Sequence, residues 1–139
     1  MKNFKISVHI PYYISDNYVD KSKLLKRVCN SYLKLSKKVK IFIHTNKKLK
    51  ANNKKIKFIF HDLSKIHSYK LTWVCRKLML RQKNLFDIFI YGEDDLLFTK
   101  NNFNYWLKYR DKCLNDDFNI EVKIFFTNSK SPLAYVTSH

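Results

Sequence analysis

The sequence predicts an α/β domain, a mostly parallel sheet with helices on both faces, and three observations carry that expectation. Short β-branched and aromatic runs recur at 4–10, 40–45, 56–61 and 87–91, the length and composition of strands buried in a sheet. Between them, over 20–37 and 69–83, apolar residues recur at helical spacing, and each segment is long enough for the crossover that parallel neighbours require. With 139 residues, 45% of them hydrophobic, the chain can bury one core as a single domain over 1–139.

The elements follow in order. Phe4 to Ile10 forms a first strand, which Pro11 is expected to stop because proline has no ladder donor. Asp16 or Asp20 can cap the first helix, whose inner face is Leu24, Leu25, Val28, Tyr32, Leu35 and Val39. Lys40 to Thr45 is a second strand, 46–55 a lysine-rich surface loop, and Ile56 to His61 a third strand. Ser68 caps the next helix, with Leu71, Val74, Cys75, Leu78 and Met79 turned inward. After the strand at 87–91, a helix over 101–114 presents Phe103, Trp106, Leu107, Arg110 and Leu114 along one side. Ile120 to Phe126 is a last strand, and 127–139 reads as a loop.

Composition narrows the setting. No apolar run is long enough to span a membrane, and Met1 to Lys5 leads into a strand pattern, not a signal peptide. Cys29, Cys75 and Cys113 have no metal-ligand spacing and read as reduced structural thiols of a cytoplasmic protein. The net charge of +17 would attract polyanions. It comes from lysine, however, with only Arg27, Arg76, Arg81 and Arg110 as arginines, so base-specific readout is the weaker reading. His9 and His44 lie in strands and are expected to be packed and neutral, while Trp73 and Trp106 are expected in the core.

The stretch with most chemical content is Ile88-Phe89-Ile90-Tyr91-Gly92-Glu93-Asp94-Asp95. Three of the chain's 11 acids sit together at the end of an apolar strand, where a cation would relieve their repulsion. An acidic surface turn is the plainer reading, and the Asp116-Asp117 pair, with no strand before it, is its natural control. Gly92 is the only glycine, suited either to a close approach by another group or to a turn at positive φ. In a parallel sheet ligands bind beyond the carboxyl ends of the strands. Those ends carry Pro11-Tyr12-Tyr13, Thr45-Asn46, His61-Asp62 and Glu93-Asp94-Asp95.

A first strand ending in Pro, a third ending before Asp62, a helix, and an apolar strand ending in Asp-Asp together resemble the GT-A fold of nucleotide-sugar glycosyltransferases (family 2-like). The Leu71-Thr72-Trp73 helix followed by Glu93-Asp94-Asp95 is similar to a bacterial and viral subgroup of that family. The resemblance covers about residues 4–126, and only 67–106 is specific. It implies a hexosyl-transferring enzyme that takes a nucleotide-sugar donor and passes the sugar to an acceptor (glycan, lipid or protein) it does not define.

It also implies roles. Pro11 and Tyr12 would flank the base, with Thr45 or Asn46 beside them, and Asp62 would accept a hydrogen bond from base or ribose. Glu93 and Asp95 would hold Mn²⁺ or Mg²⁺ as the outer positions of a DXD-like motif, with Asp94 between them, and Arg76 would face the diphosphate. No residue is marked as a catalytic base. Only 44 residues follow Asp95, fewer than family members carry, so the expectation is a donor half, incomplete at the C-terminus, with weak or no transfer. Self-association or a partner chain would then complete it. The alternative from another class is a non-enzymatic basic α/β module for nucleic acid or another polyanion, with the lysine-rich stretches 34–40 and 47–57 as its surface.

Overall fold

The computed structural model describes residues 3–17, 19–115, 121–125 and 133–137, with side chains described through 110 and at 112. The strands are β1 (Lys5–Tyr12), β2 (Lys38–Thr45), β3 (Ile56–Phe60), β4 (Ile88–Tyr91), β5 (Glu121–Phe125) and β6 (Leu133–Thr137). The helices are α1 (Ser22–Leu33), α2 (Leu71–Arg81), preceded by a 3-10 turn at Ser68–Lys70, and α3 (Lys100–Asn115). One sheet has the order β3-β2-β1-β4-β5-β6. All neighbours are parallel except β5 and β6, which run antiparallel. That order is doubly wound: the chain moves outward from β1 to β3, then returns past β1 to β4.

Side-chain alternation sorts each strand's residues between two layers. Ile6, Val8 and Ile10 of β1, Val39, Ile41 and Ile43 of β2, and Ile88 and Ile90 of β4 share one core. Leu25, Val28, Cys29 and Tyr32 of α1 and Phe103 and Trp106 of α3 pack into it. The opposite face carries Ser7, His9, Phe42, His44, Phe89 and Tyr91, with buried Leu71 and Cys75 of α2 and Gln82 at its C-cap. Cys29 and Cys75 are free thiols on the two sides of the sheet, pushed up to about 11 and about 12 by burial.

Several boundaries differ from expectation for physical reasons. β1 runs through Pro11 to Tyr12, where Pro11 is in register with His44. Backbone bonds from Asp87 to Lys5 and from Gly92 to His9 place the odd residues of β1 toward β4. β4 pairs only as far as His9, so at Pro11 that side of β1 is an edge and no ladder bond is lost.

α1 stops at Leu33, four residues short of the expected 37, and Leu35 and Val39 are buried beyond it. Ser36 turns the chain there, its hydroxyl donating to Phe4 O at 2.7 Å and accepting from Lys38 N at 3.1 Å. The His67 ring, not Ser68, caps the start of the next helical segment by accepting from Tyr69 N. Residues 133–137, expected as loop, form β6 by pairing along β5. The ends of the expected last strand at Ile120 and Phe126, the Asp116-Asp117 pair, and the side chains of Cys113 and Leu114 lie outside what is described.

Candidate functional site

The chain's connections leave β1 in opposite directions toward β2 and β4. In a doubly wound sheet the crevice beyond the C-terminal ends of the strands at such a point is the usual ligand position. β4 delivers Glu93, Asp94 and Asp95 to this edge through Gly92, whose N–H donates to His9 O at 2.9 Å. Gly92 is there because of a close approach: a Cβ would strike the hydroxyl of Tyr32, which α1 presses under the turn. Glu93 and Asp95 are exposed and Asp94 is half-buried. Desolvation first, then Asp95 and Asp94, raises the Glu93 carboxyl above its ordinary value. Desolvation and Asp95 likewise raise Asp94, against the opposing pull of Lys21 at the entrance of α1. The acids therefore repel one another at this edge, and Lys21 offsets part of that repulsion at Asp94.

Across the crevice, the loop after β1 is fastened to the end of β2 by one side chain. Asn46 Oδ1 accepts from Ile14 N and Asn46 Nδ2 donates to Ile14 O, both at 2.8 Å. Asn46 is thus occupied with backbone. Tyr12 is 2% exposed and belongs to the core, while Tyr13, 47% exposed, is the ring the loop presents. Pro11 is half-buried and Thr45 fully buried, its Oγ1 without a hydrogen-bond partner. Asp62 is exposed and caps its own turn, Oδ1 accepting from Ser64 N at 3.0 Å, a bond that holds its carboxyl below the ordinary value.

Arg76 stands on exposed α2 with its guanidinium 4.3 Å from the centre of the Trp73 ring. Trp73 is not core as expected but 62% exposed, whereas Trp106 is buried as expected. Arg76 reaches the end of β4 electrostatically. Burial, with Cys75, Glu93 and Asp94, pushes the Tyr91 phenol up, and Arg76 opposes that rise.

Under α2 lies an arrangement that single-residue reasoning does not reveal. His9 Nδ1 meets His44 Nε2 at 2.8 Å, and His44 Nδ1 meets His61 Nε2 at 2.8 Å. The inner end closes on Gln82 Oε1, which takes the Ser7 hydroxyl at 2.8 Å and lies 3.0 Å from His9 Nε2. The register explains the row. Phe42 is the partner of His9 and Ile59 that of His44, so each next histidine sits two residues further up the neighbouring strand, within reach of a long side chain.

Gln82 Oε1 can only accept, and the Ser7 proton is already committed to it, so His9 Nε2 carries a proton and donates. His9 Nδ1 then accepts from His44 Nε2, and His44 Nδ1 from His61 Nε2. All three rings are neutral Nε2–H tautomers pointing inward. Burial lowers His9 to about 4 and, with His9 and His61 as neighbours, His44 to about 3, and it also lowers half-buried His61. The signal in the sequence is positional: His9, His44 and His61 all fall in or just after the C-terminal halves of successive strands.

Among the described residues no group of three His, Cys, Asp or Glu side chains is arranged to hold a metal ion. Two carboxylates with phosphate oxygens and water suffice for Mg²⁺ or Mn²⁺, and crowded Glu93 and Asp95 are oxygen donors of that kind. Among those same residues no helix is long and apolar enough to cross a membrane. Compared with known proteins, the chain matches no family model, no curated protein and no solved structure.

Proposed function

We propose that this chain is a GT-A-like glycosyltransferase domain that binds a nucleoside-diphosphate sugar at the C-terminal edge of its sheet, with a divalent cation held by Glu93 and Asp95. The observation that carries this reading is the position of the three acids: they end the strand beside β1, at the point where the chain reverses direction. A cation bound there supplies charge neutralisation for a departing diphosphate. The chain's own groups do the positioning. The Tyr13 ring offers a face for the base, a role the resemblance assigns to Tyr12. Asp62, exposed at the end of β3 and hydrogen-bonded by both the backbone and the side chain of Ser64, is the carboxylate that would meet a ribose or base donor. Arg76, steadied on Trp73, is the cation nearest in kind to a phosphate ligand. The acceptor and the catalytic base stay unassigned in this reading.

A thermal-shift series with uridine and guanosine diphosphates and their sugar esters, with and without Mn²⁺, tests donor binding, since a ligand of the native state raises apparent stability. A metal-dependent rise is expected. Asp95→Asn keeps the shape and removes the charge, and should weaken metal-dependent binding at least tenfold, about 1.4 kcal/mol. Asp87→Asn is the charge-matched control. Asp87 lies at the opposite edge of the sheet, where its Oδ2 accepts from Lys5 N, and the change should leave binding alone. Equal affinity in wild type and Asp95→Asn would remove the metal assignment. The basic-module alternative rests on exposed Lys47, Lys48, Lys50, Lys54 and Lys55; it predicts salt-sensitive binding of any polynucleotide, indifferent to Mn²⁺.

A further inference from the structure

The outward side of α2 is the least expected surface of the molecule. Its inward side, through Leu71, Cys75 and Gln82, is buried against the sheet. Seven residues apart on the other side stand Trp73 and Leu80, 62% and 69% exposed, and Tyr69 in the preceding turn is 77% exposed. At 3.6 residues per turn, Trp73 and Leu80 fall in one line about 10 Å long. Exposed Lys70, Lys77 and Arg81 flank that line on one side, and exposed Arg76 and Lys83 on the other. No acid occurs between Asp62 and Asp87. An aromatic and aliphatic stripe bordered on both sides by cations is the pattern of a helix that lies in a membrane interface.

We infer that the outward face of α2 docks this protein on an anionic lipid bilayer, with Trp73, Leu80 and Tyr69 entering the headgroup boundary and Lys70, Lys77 and Arg81 on lipid phosphates. The assignment does not rest on the nucleotide-sugar reading. Charge decides against a second copy of the chain, because pairing this face with itself would bring two acid-free basic surfaces together. The aliphatic content decides against single-stranded nucleic acid. Bases stack on aromatic rings, which leaves exposed Leu80 without a role. A bilayer uses all of them: indole and phenol rings favour the interface, aliphatic chains favour the acyl boundary, and each cation is drawn to an anionic surface.

The experiment is sedimentation of the full chain with vesicles of phosphatidylcholine alone or with about one-third phosphatidylserine, read alongside tryptophan emission. Trp106 is buried, so the difference from Trp73→Ala isolates Trp73. Binding to the anionic vesicles only is expected, with a blue shift of Trp73 and quenching by lipids brominated near the headgroup. Trp73→Ala with Leu80→Ser should lower partitioning about tenfold or more while leaving the melting temperature in place, since both side chains are exposed. Lys47→Gln, Lys48→Gln and Lys50→Gln together remove three charges from a loop away from α2 and should cost clearly less.

Equal losses in the two variants, or binding without brominated-lipid quenching, would mean diffuse charge attraction and overturn the assignment. So would a single-stranded oligonucleotide that shields Trp73 while vesicles are ignored, or a dimer that Trp73→Ala dissolves.

Discussion

Val8 and His9 are consecutive in β1 and both fully buried, yet they pack into layers of opposite chemistry. Val8 points into the aliphatic layer shared by α1 and α3. His9 points under α2, into a layer whose centre is a hydrogen-bonded row of imidazoles. The aliphatic layer is where polar atoms go unanswered: Tyr32 Oη, Thr45 Oγ1 and Trp106 Nε1 are buried without hydrogen-bond partners, Tyr32 and Trp106 within that core and Thr45 on the β2 face it shares with Ile41 and Ile43. In the imidazole layer Ser7, His9, His44 and Gln82 all answer one another. Buried polar groups in the imidazole layer are satisfied by one another, whereas each orphan atom in the aliphatic layer carries an uncompensated desolvation cost.

Acid should break the two layers apart. His9 and His44 are neutral in the fold and fall to about 4 and about 3, below the value near 6.5 of an unfolded chain. A lowered imidazole contributes stability that is present above the unfolded value and is lost as pH falls toward the folded one. By about pH 5 the unfolded chain has taken up a proton on each ring that the fold refuses, roughly 4 kcal/mol in sum. Glu93 and Asp94 act in the opposite sense, since their raised carboxyls shed mutual repulsion as they protonate. Urea unfolding between about pH 7 and pH 5 should therefore show a steep loss that His44→Gln flattens; an equally steep slope in that variant would clear the row of responsibility.

Ile10→Ala probes the other layer. It empties a fully buried site and should cost about 3 kcal/mol, with the pH slope unchanged. A changed slope would mean that the layers are coupled through the strand.

Gly92→Ala, where the layers meet at the sheet edge, should cost roughly 1–3 kcal/mol because Tyr32 must give way. Tyr32→Phe removes the colliding oxygen and should recover part of that loss in a double-mutant cycle; strict additivity would deny the contact. The smallest effect is Tyr32→Phe alone. It removes a buried hydroxyl with no partner, so the melting temperature should hold or rise slightly, and a clear drop would reveal a bond to an ordered water.

Periodicity alone made the aliphatic layer legible. Leu25, Val28 and Tyr32 recur at helical spacing, Ile6, Val8 and Ile10 alternate, and the structure buries all of them. The parallel order around β1 was legible too, because the crossover segments have the right length. The imidazole layer was not, since a histidine in a strand says nothing of the strand beside it until the register is known. Trp73 misled because apolarity indicates what a residue can bury and not which side of a helix reaches the core. Pro11 misled because its cost depends on whether a neighbouring strand extends that far. At the candidate site, the acids and Gly92 announced themselves by their rarity in this chain, but the exchange of Tyr12 for Tyr13 as the exposed ring follows only from which side of β1 faces α1.

The carboxamide of Asn46 imitates one more peptide unit of β2, pairing with Ile14 as a strand neighbour would. Because a side chain makes that pairing, the backbone on either side is released from the sheet's geometry. The segment between Ile14 and α1 can therefore lengthen, shorten or change composition while the fastening at Ile14 keeps its base in position. For an evolving or engineered lineage this is a modular port: the rim of the crevice can be rewritten one loop at a time, with β1 and β2 held in register beneath it. Asn46→Asp, which keeps the acceptor and loses the donor, is the smallest change that would loosen the port without touching the sheet.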